Sequence, residues 1–246
     1  MINSESTVAA YDPIAEGYRD FVNASWIHRV SVPALARVCS EVSGRVMDLA
    51  CGEGVTARAM VRSDREVVGV DLSARLLALA RAQEDSAPLG IDYVQDDAVR
   101  LAAFAPASID AVVSNCALSD LADLEGVWAA VGRVLKPGGW LGLSMIHPCF
   151  ETPGAYNLEL EDRVAKVVGR YFQEGARSRS PGSLLANVAF HHRRLATVLG
   201  SLLKAGFVLS AIEEPYPPPS VVEAAPHYAQ VAEVLVLLFR SDGERV

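Results

Sequence analysis

The residues able to do chemistry gather first around Asp48-Leu49-Ala50-Cys51-Gly52-Glu53-Gly54. An apolar strand, Arg45 to Ala50, runs into two glycines and then into the helical pattern of Val55 to Met60. Glycine admits backbone angles closed to other residues and lets a ligand approach the main chain. A helix that starts there aims unpaired N–H groups at whatever occupies the turn. A second strand, Glu66 to Asp71, ends in an acid. About 20 residues past such glycines, a carboxylate at a strand tip can accept hydrogen bonds from ribose hydroxyls. Together these features make a nucleotide-binding corner. Gly52 to Ala57 formally matches G-x-G-x-x-A, the dinucleotide pattern, so a nicotinamide cofactor is one candidate. A glycine turn with no ligand is the plain alternative.

Further along the chain, Asp97-Ala98 follows a third strand, Ile91 to Gln95, and Asn115 ends a fourth, Ile109 to Asn115. Lys136-Pro137-Gly138-Gly139 stops a helix whose apolar residues, Leu124 to Leu135, recur at helical spacing, and turns the chain into a fifth strand, Trp140 to Ile146. Trp128 belongs to that buried stripe. Tyr11 and Tyr18 are seven residues apart and share one helical face.

The order of these marks resembles the class I S-adenosylmethionine (SAM) methyltransferases, of the UbiE-like, type 11 group. Their first motif reads D-x-G-x-G-x-G; here Ala50 stands in place of the first glycine, which constrains the turn. The other marks are Y-D-x-x-A-x-x-Y at Tyr11 to Tyr18, D-A at Asp97-Ala98, R-V-L-K-P-G-G at Arg133 to Gly139, and H-R-x-L with L-x-x-A-G-F between His192 and Phe207. Each is weak alone; their order and spacing are specific.

The resemblance implies a Rossmann-like three-layer α/β sandwich. Its seven-stranded sheet would be mostly parallel, with an antiparallel C-terminal strand. It implies SAM as cofactor and S-adenosylhomocysteine as product. Tyr18 would line the cofactor mouth, Asp48, Ala50, Cys51, Gly52 and Gly54 would bind it through the first motif, Asp71 with Leu72 would meet the ribose, and Asp97 with Ala98 the adenine. Asn115 and Leu118, at and after the end of the fourth strand, would also touch the cofactor. The reaction implied is methyl transfer to an O, N or C nucleophile of a small molecule, with secondary metabolism as one setting. Ser119-Asp120 replaces the histidine pair common after the fourth strand. An Asn-Pro-Pro-Tyr-like tetrad is missing there, which disfavours methylation of adenine or protein amides.

An acceptor hydroxyl or acidic carbon can need a base with a pKa near working pH, and histidine suits that. His147, His191 and His192 are the catalytic candidates, expected to converge on one cavity with Tyr11 and the segment Thr152 to Asn187. Tyr11, Trp26, Glu151, Tyr171 and Arg193 are expected to touch the acceptor.

The 246 residues suit a single domain with a lid over about residues 1–30 and a cap over about 150–190. Ser31 is expected to cap a helix with Pro33 in its first turn, and Ser73 another. Gly175 to Ser183 reads as loop, and Phe190 to Leu195 as the opening of a helix ended by Gly206. Strands are expected at Phe207 to Glu214 and Glu233 to Arg240, with a short helix at Ser220 to Ala224.

The chain is 51% hydrophobic with a net charge of −8, which supplies a sizeable core and disfavours a nucleic-acid partner. No signal peptide or membrane-spanning run is expected, and the scattered Cys39, Cys51, Cys116 and Cys149 read as reduced cytoplasmic thiols, without a disulfide or zinc framework. Monomer and homodimer stay open. A nicotinamide-dependent reductase would leave the D-A and K-P-G-G elements unexplained, and the chain lacks its Tyr-x-x-x-Lys relay. A non-catalytic SAM-binding protein would show a closed acceptor cavity.

Overall fold

Seven strands form the central sheet of the computed structural model, which describes residues 10–179 and 182–243. β1 (Gly44–Leu49) pairs in parallel with β2 (Arg65–Asp71) on one side and with β4 (Ile109–Asn115) on the other. β3 (Asp92–Gln95) continues beyond β2, and β5 (Leu135–Ile146) beyond β4. The chain therefore leaves β1 in one direction, then returns and grows the other way. The carboxyl ends of β1 and β4 flank the point of reversal, where open α/β sheets bind ligands. β11 (Val234–Ser241) runs antiparallel to β5 and to β10 (Phe207–Glu213), giving the order β10-β11-β5-β4-β1-β2-β3. This is the expected sheet.

Side chains on successive strand residues point to opposite faces, which fills both layers around the sheet. Val46, Val67 and Val113 pack with Ala34 and Leu35 of α2 (Trp26–Val38), Met60 of α3 (Val55–Met60) and Leu77 of α4 (Ala74–Ser86). Met47, Val112 and Leu141 pack on the other face with α5 (Leu124–Val134) and α6 (Leu195–Lys204). Trp128 is buried there as expected and donates its indole N–H to Ser201 Oγ at 2.9 Å. Ser73 caps α4, accepting the Leu76 amide at 3.1 Å. α7 (Pro219–Ala224) lies where a short helix is expected.

Three local expectations are corrected. Ser31 does not cap a helix. α2 begins at Trp26, and Ser31 is fully buried in its interior, with Pro33 also inside. The apolar face of Val30, Ala34 and Leu35 extends the helix across the proline, so burial overrides the local stop signal. β5 starts at Leu135, before the Lys136-Pro137-Gly138-Gly139 turn, because Leu135 pairs with Ile109; the register shifts before Ala111 pairs with Trp140. Residues 190–192 are not the start of a helix. Phe190–His192 is β9, which pairs with β8 (Gly175–Arg177), and the helix starts at Leu195. The guanidinium carbons of Arg177 and Arg179 lie 4.6 and 4.8 Å from the Phe190 ring centroid and favour this pairing.

The segment expected as a cap thus contains two small hairpins, β8–β9 and β6 (Tyr156–Glu159) with β7 (Val164–Val167). At the N-terminus, a turn of 3-10 helix (Asp12–Ile14) leads into α1 (Ala15–Ala24). Tyr11 and Ala15 pack on Leu76 at the start of α4 and on Val188. Residues 1–9 of the expected lid and residues 180–181 of the expected cap lie outside the described residues. Among the described residues, no helix is long and apolar enough to cross a membrane.

Candidate functional site

The carboxyl ends of β1 to β4 open on a cavity of about 900 Å³, large for a ligand site. Leu49, Ala50 and Gly52 line its floor at the end of β1, and Tyr11 and Tyr18 close it from the N-terminal segment. Asp71 and Leu72 enter from β2, Asp97 and Ala98 from the turn after β3, and Asn115, Ala117 and Asp120 from the end of β4. Eight of the twelve residues expected on the cofactor therefore share one cavity.

The other four stand behind or beside it. Cys51 is buried against Tyr93 and Gly69. Gly54 has φ 91°, and a Cβ there would meet the Tyr93 hydroxyl at 2.4 Å, so the turn needs glycine for packing as much as for ligand approach. Leu118 packs into the core and lines a second, much smaller cavity. Asp48 is 1% exposed, and neither of its carboxyl oxygens has a hydrogen-bond partner of good geometry. Burial pushes its carboxyl well above the usual range, and the Ala57 amide offsets this only in part.

Asp71 ties the corner together. Its Oδ2 accepts the Gly52 amide at 2.8 Å and its Oδ1 the Ser73 amide at 2.8 Å. Burial raises its carboxyl above the ordinary value, and these two amides pull the other way. Ala50, in the place of a glycine, is held at φ 57°. Glu53 is 9% exposed with an unpartnered Oε1, and burial pushes it up to about 7. After β3, Asp96 accepts the amides of Asp97 and Ala103, and Asp97 Oδ1 accepts that of Val99 at 3.1 Å. Asn115 Oδ1 accepts the Ser144 hydroxyl.

These groups discriminate between the two cofactor chemistries. The glycine loop carries or covers two buried acids, Glu53 and Asp48, with unpartnered oxygens. Burial holds both acids toward their protonated forms, and a dinucleotide's pyrophosphate against that loop would keep them there. A ligand with an ammonium group and a sulfonium, carried on a ribose and an adenine, would instead draw them toward the charged carboxylate. A Cβ on Gly52 would meet nothing nearer than Tyr18 Cε1 at 3.9 Å, so the cradle above the loop is open. The residues present fit SAM.

The three candidate bases do not converge on this cavity with Tyr11. His147 is buried, its Nε2–H 2.9 Å from Glu214 Oε1, and its Nδ1 accepts the Cys149 amide at 3.2 Å. His192 donates from Nε2 to the Tyr171 carbonyl at 2.9 Å, and His191 from Nδ1 to the Ser119 carbonyl at 3.1 Å. His191 and His192 line the smaller cavity with Glu151, but His147 lines neither. Both ring nitrogens of His147 are bonded to the protein, and His191 and His192 each keep one nitrogen unbonded but do not line the main cavity.

Of the residues expected on the acceptor, Tyr11 alone lines the main cavity. Trp26 packs instead on Tyr228, ring centroids 4.9 Å apart. Glu151 faces Lys166 at 3.5 Å and Arg177 at 3.6 Å. The Tyr171 hydroxyl accepts the Leu195 amide at 3.0 Å. Arg193 spends its guanidinium on the carbonyls of Leu118, Leu121 and Ala122, at 2.9, 2.6 and 3.0 Å, and so clamps the loop after β4.

Two residues stand outside the set expected at the site. Asp120 lines the main cavity, accepting the Tyr11 hydroxyl at 2.7 Å and Arg179 at 3.3 Å. Its position in the segment after β4 was a usable signal. His28, on α2, has a buried Nδ1 without a partner, and burial pushes its imidazole down to about 4. A lone histidine in a helix gives no sequence sign of that.

Comparison with known proteins agrees with this geometry. A family model described as "Methyltransferase domain" matches residues 47–143. The ubiquinone biosynthesis O-methyltransferase of Xanthomonas campestris is 31% identical over 152 residues, 61% of this chain and 62% of that protein. The protein of the same name from Ralstonia nicotianae is 36% identical over 103 residues, 42% of this chain and 43% of that protein. The chain thus matches less than two thirds of the length of these relatives. The crystal structure of an S-adenosylmethionine-dependent methyltransferase from Mesorhizobium loti superposes with a TM-score of 0.73 at 30% identity, covering 89% of this chain and 99% of that one. The glycine corner, the acids at the ends of β2 and β3 and this full-length likeness place the chain in the class I S-adenosylmethionine-dependent methyltransferases.

Proposed function

We propose that this protein transfers a methyl group from SAM to a hydroxyl oxygen of a small molecule. The observation that carries the reading is the single cavity running from Asp97 past Asp71 and Gly52 to Asn115 and Asp120. In this reading Tyr18, Ala50 and Gly52 hold the amino-acid part, whose ammonium draws the buried carboxyls of Asp48 and Glu53 toward their charged forms. Asp71 accepts from the ribose hydroxyls and Leu72 packs beside them. Asp97 accepts from the adenine amino group while the Ala98 amide donates to the ring.

When bound, SAM supplies a methyl group already activated on a sulfonium. The protein's own task is alignment and exclusion of water. Tyr11 and Tyr18, edge to face at 4.9 Å, cover the opening above the loop. Asn115 and the clamped loop after β4 fix the wall against which the acceptor sits. Such positioning can supply roughly 7–11 kcal/mol. Oxygen is favoured as the methylated atom because the Xanthomonas and Ralstonia relatives are named O-methyltransferases.

The test is turnover of SAM with a panel of phenols, catechols, aliphatic alcohols and amines, following S-adenosylhomocysteine release and product mass. Methylated hydroxyls are expected. Methylation of amines alone, or none across the panel, would overturn the assignment to oxygen. Calorimetric titration with S-adenosylhomocysteine and NADPH checks the cofactor: binding of NADPH alone would sink the whole reading.

A further inference from the structure

Five acids line the main cavity: Asp71, Asp96, Asp97, Asp120 and Asp123. Four are tied to backbone amides. Asp71 holds Gly52 and Ser73, Asp96 holds Asp97 and Ala103, and Asp97 holds Val99. Asp123 caps α5 by accepting the Gly126 amide at 2.9 Å. Asp120 differs. Its partners are all side chains: the Tyr11 hydroxyl at 2.7 Å, Arg179 at 3.3 Å and the Ser119 hydroxyl at 3.5 Å. Side-chain partners can turn aside for an incoming hydroxyl; backbone amides in a turn cannot.

Asp120 also lines the cavity from the loop that follows Asn115, and the cofactor assignment gives it no role. The loop that carries it is anchored by Arg193, which fixes the main chain on either side of Asp120. None of the three histidines lines this cavity, which leaves the methyl acceptor's proton without a recipient among them.

We infer that Asp120, held between Tyr11 and Arg179, takes the proton of the acceptor's hydroxyl during methyl transfer and so selects phenolic or otherwise acidic hydroxyl groups. This inference rests on the O-methyl-transfer reading. The balance is simple. A lone pair of the acceptor oxygen forms the bond to the methyl carbon. The carbon–sulfur bond breaks with its electrons going to sulfur, and the O–H proton passes to a carboxyl oxygen of Asp120. Burial raises the Asp120 carboxyl above the ordinary carboxylate value, which makes it a better base than an exposed aspartate, while Arg179 and Tyr11 hold it down. The groups facing it are Tyr11 and Tyr18 from the N-terminal segment, Cys116 and Ser119 from its own loop, and Arg179 from the cap.

The experiment measures kcat against pH with catechol and 3,4-dihydroxybenzoate as probes, for the wild type, Asp120→Asn, Asp120→Glu and Tyr11→Phe, with S-adenosylhomocysteine affinity alongside. Asp120→Asn keeps an oxygen for Tyr11 but cannot take a proton. Its kcat is expected to fall by about 100-fold or more, with the acidic limb of the profile lost and S-adenosylhomocysteine affinity little changed. Asp120→Glu should restore part of the rate. Tyr11→Phe removes a hydrogen bond that lowers the Asp120 pKa, so its profile should keep the limb and shift it to higher pH. If Asp120 only latched the lid, Tyr11→Phe would do as much harm as Asp120→Asn and the limb would not move; that result overturns the inference. So does an Asp120→Asn enzyme that turns the probes over within about threefold of wild type. A wild type that methylates aliphatic alcohols but neither probe overturns this inference alone, and one that methylates no hydroxyl of the wider panel overturns the O-methyl-transfer reading and this inference with it.

Discussion

The Asp71 carboxylate accepts the Gly52 amide at 2.8 Å, so the acid that ends β2 also fixes the glycine turn that ends β1. Its other oxygen holds the Ser73 amide at the start of α4. Each carboxyl oxygen has a second lone pair, so both amides and a ribose diol can be served at once. Asp71→Ala should then cost stability as well as affinity, since bonds to a charged group are each worth about 1.5–3 kcal/mol. Asp71→Asn keeps one acceptor oxygen and should hurt folding less than binding. Calorimetric titration with S-adenosylhomocysteine and thermal unfolding of both variants check this. Unchanged affinity in the alanine variant would remove Asp71 from the ribose site.

What could be seen in the chain beforehand follows from range. Sheet strands with period-2 or continuous apolar runs, and the turn at Gly52, are dictated by local residues, so the sheet and most of the cavity floor were legible. Ser31 and Pro33 misled because the burial that carries α2 across them comes from β5 and β11, over a hundred residues away. Phe190 to His192 carries no strand signal of its own; its state depends on pairing with Gly175 to Arg177. The histidines looked chemical by type and position, but their acceptors are a carboxylate or backbone carbonyls supplied by distant segments. Asp120 was visible as a departure from a familiar pattern, yet its contacts to Tyr11 and Arg179 join three separate stretches of the chain.

Ala50 provides a test of the strain in the turn. It is held at φ 57°, a conformation that costs an L-residue roughly 1–2 kcal/mol. Ala50→Gly relieves this, against a loss of about 0.5–1 kcal/mol from the freer unfolded chain. A small net gain, up to about 1 kcal/mol, is expected in urea unfolding. A clear loss would mean that the alanine methyl group contributes packing that outweighs the strain.

His147 is expected to be a structural residue. Its two ring nitrogens are bonded to Glu214 and to the Cys149 amide, and burial lowers its imidazole below the ordinary value of 6.5 despite the Glu214 carboxylate. The native state favours the neutral ring, so the unfolded chain takes up a proton first as pH falls below that value, and this residue's contribution then weakens. His147→Gln should lower the unfolding free energy by about 1–3 kcal/mol while leaving kcat per folded molecule within a few-fold. A loss of turnover by about tenfold or more without loss of stability would return His147 to the chemistry.

Glu53 links stability to ligand charge. Its side chain is buried beside the glycine turn, one oxygen is unpartnered, and burial raises it from 4.5 to about 7, with the Asp71 charge adding to the shift. The native state holds this proton up to about 7, whereas the unfolded chain loses it near 4.5. Between those values the native state binds more protons, so stability from this group is full at the acid end and declines as pH rises through the window. The ceiling on that decline is about 3.5 kcal/mol, at roughly 1.4 kcal/mol per unit. Glu53→Gln should therefore gain stability over the wild type at pH above 7 and show no such gain near pH 4.5. A ligand carrying an ammonium beside the turn would favour the charged carboxylate, so binding near neutral pH should release a proton. Calorimetry of S-adenosylhomocysteine binding in two buffers of different ionisation enthalpy reads that proton directly, and in Glu53→Gln it should disappear. Equal proton release by both proteins would show that Glu53 does not face the ligand's charge.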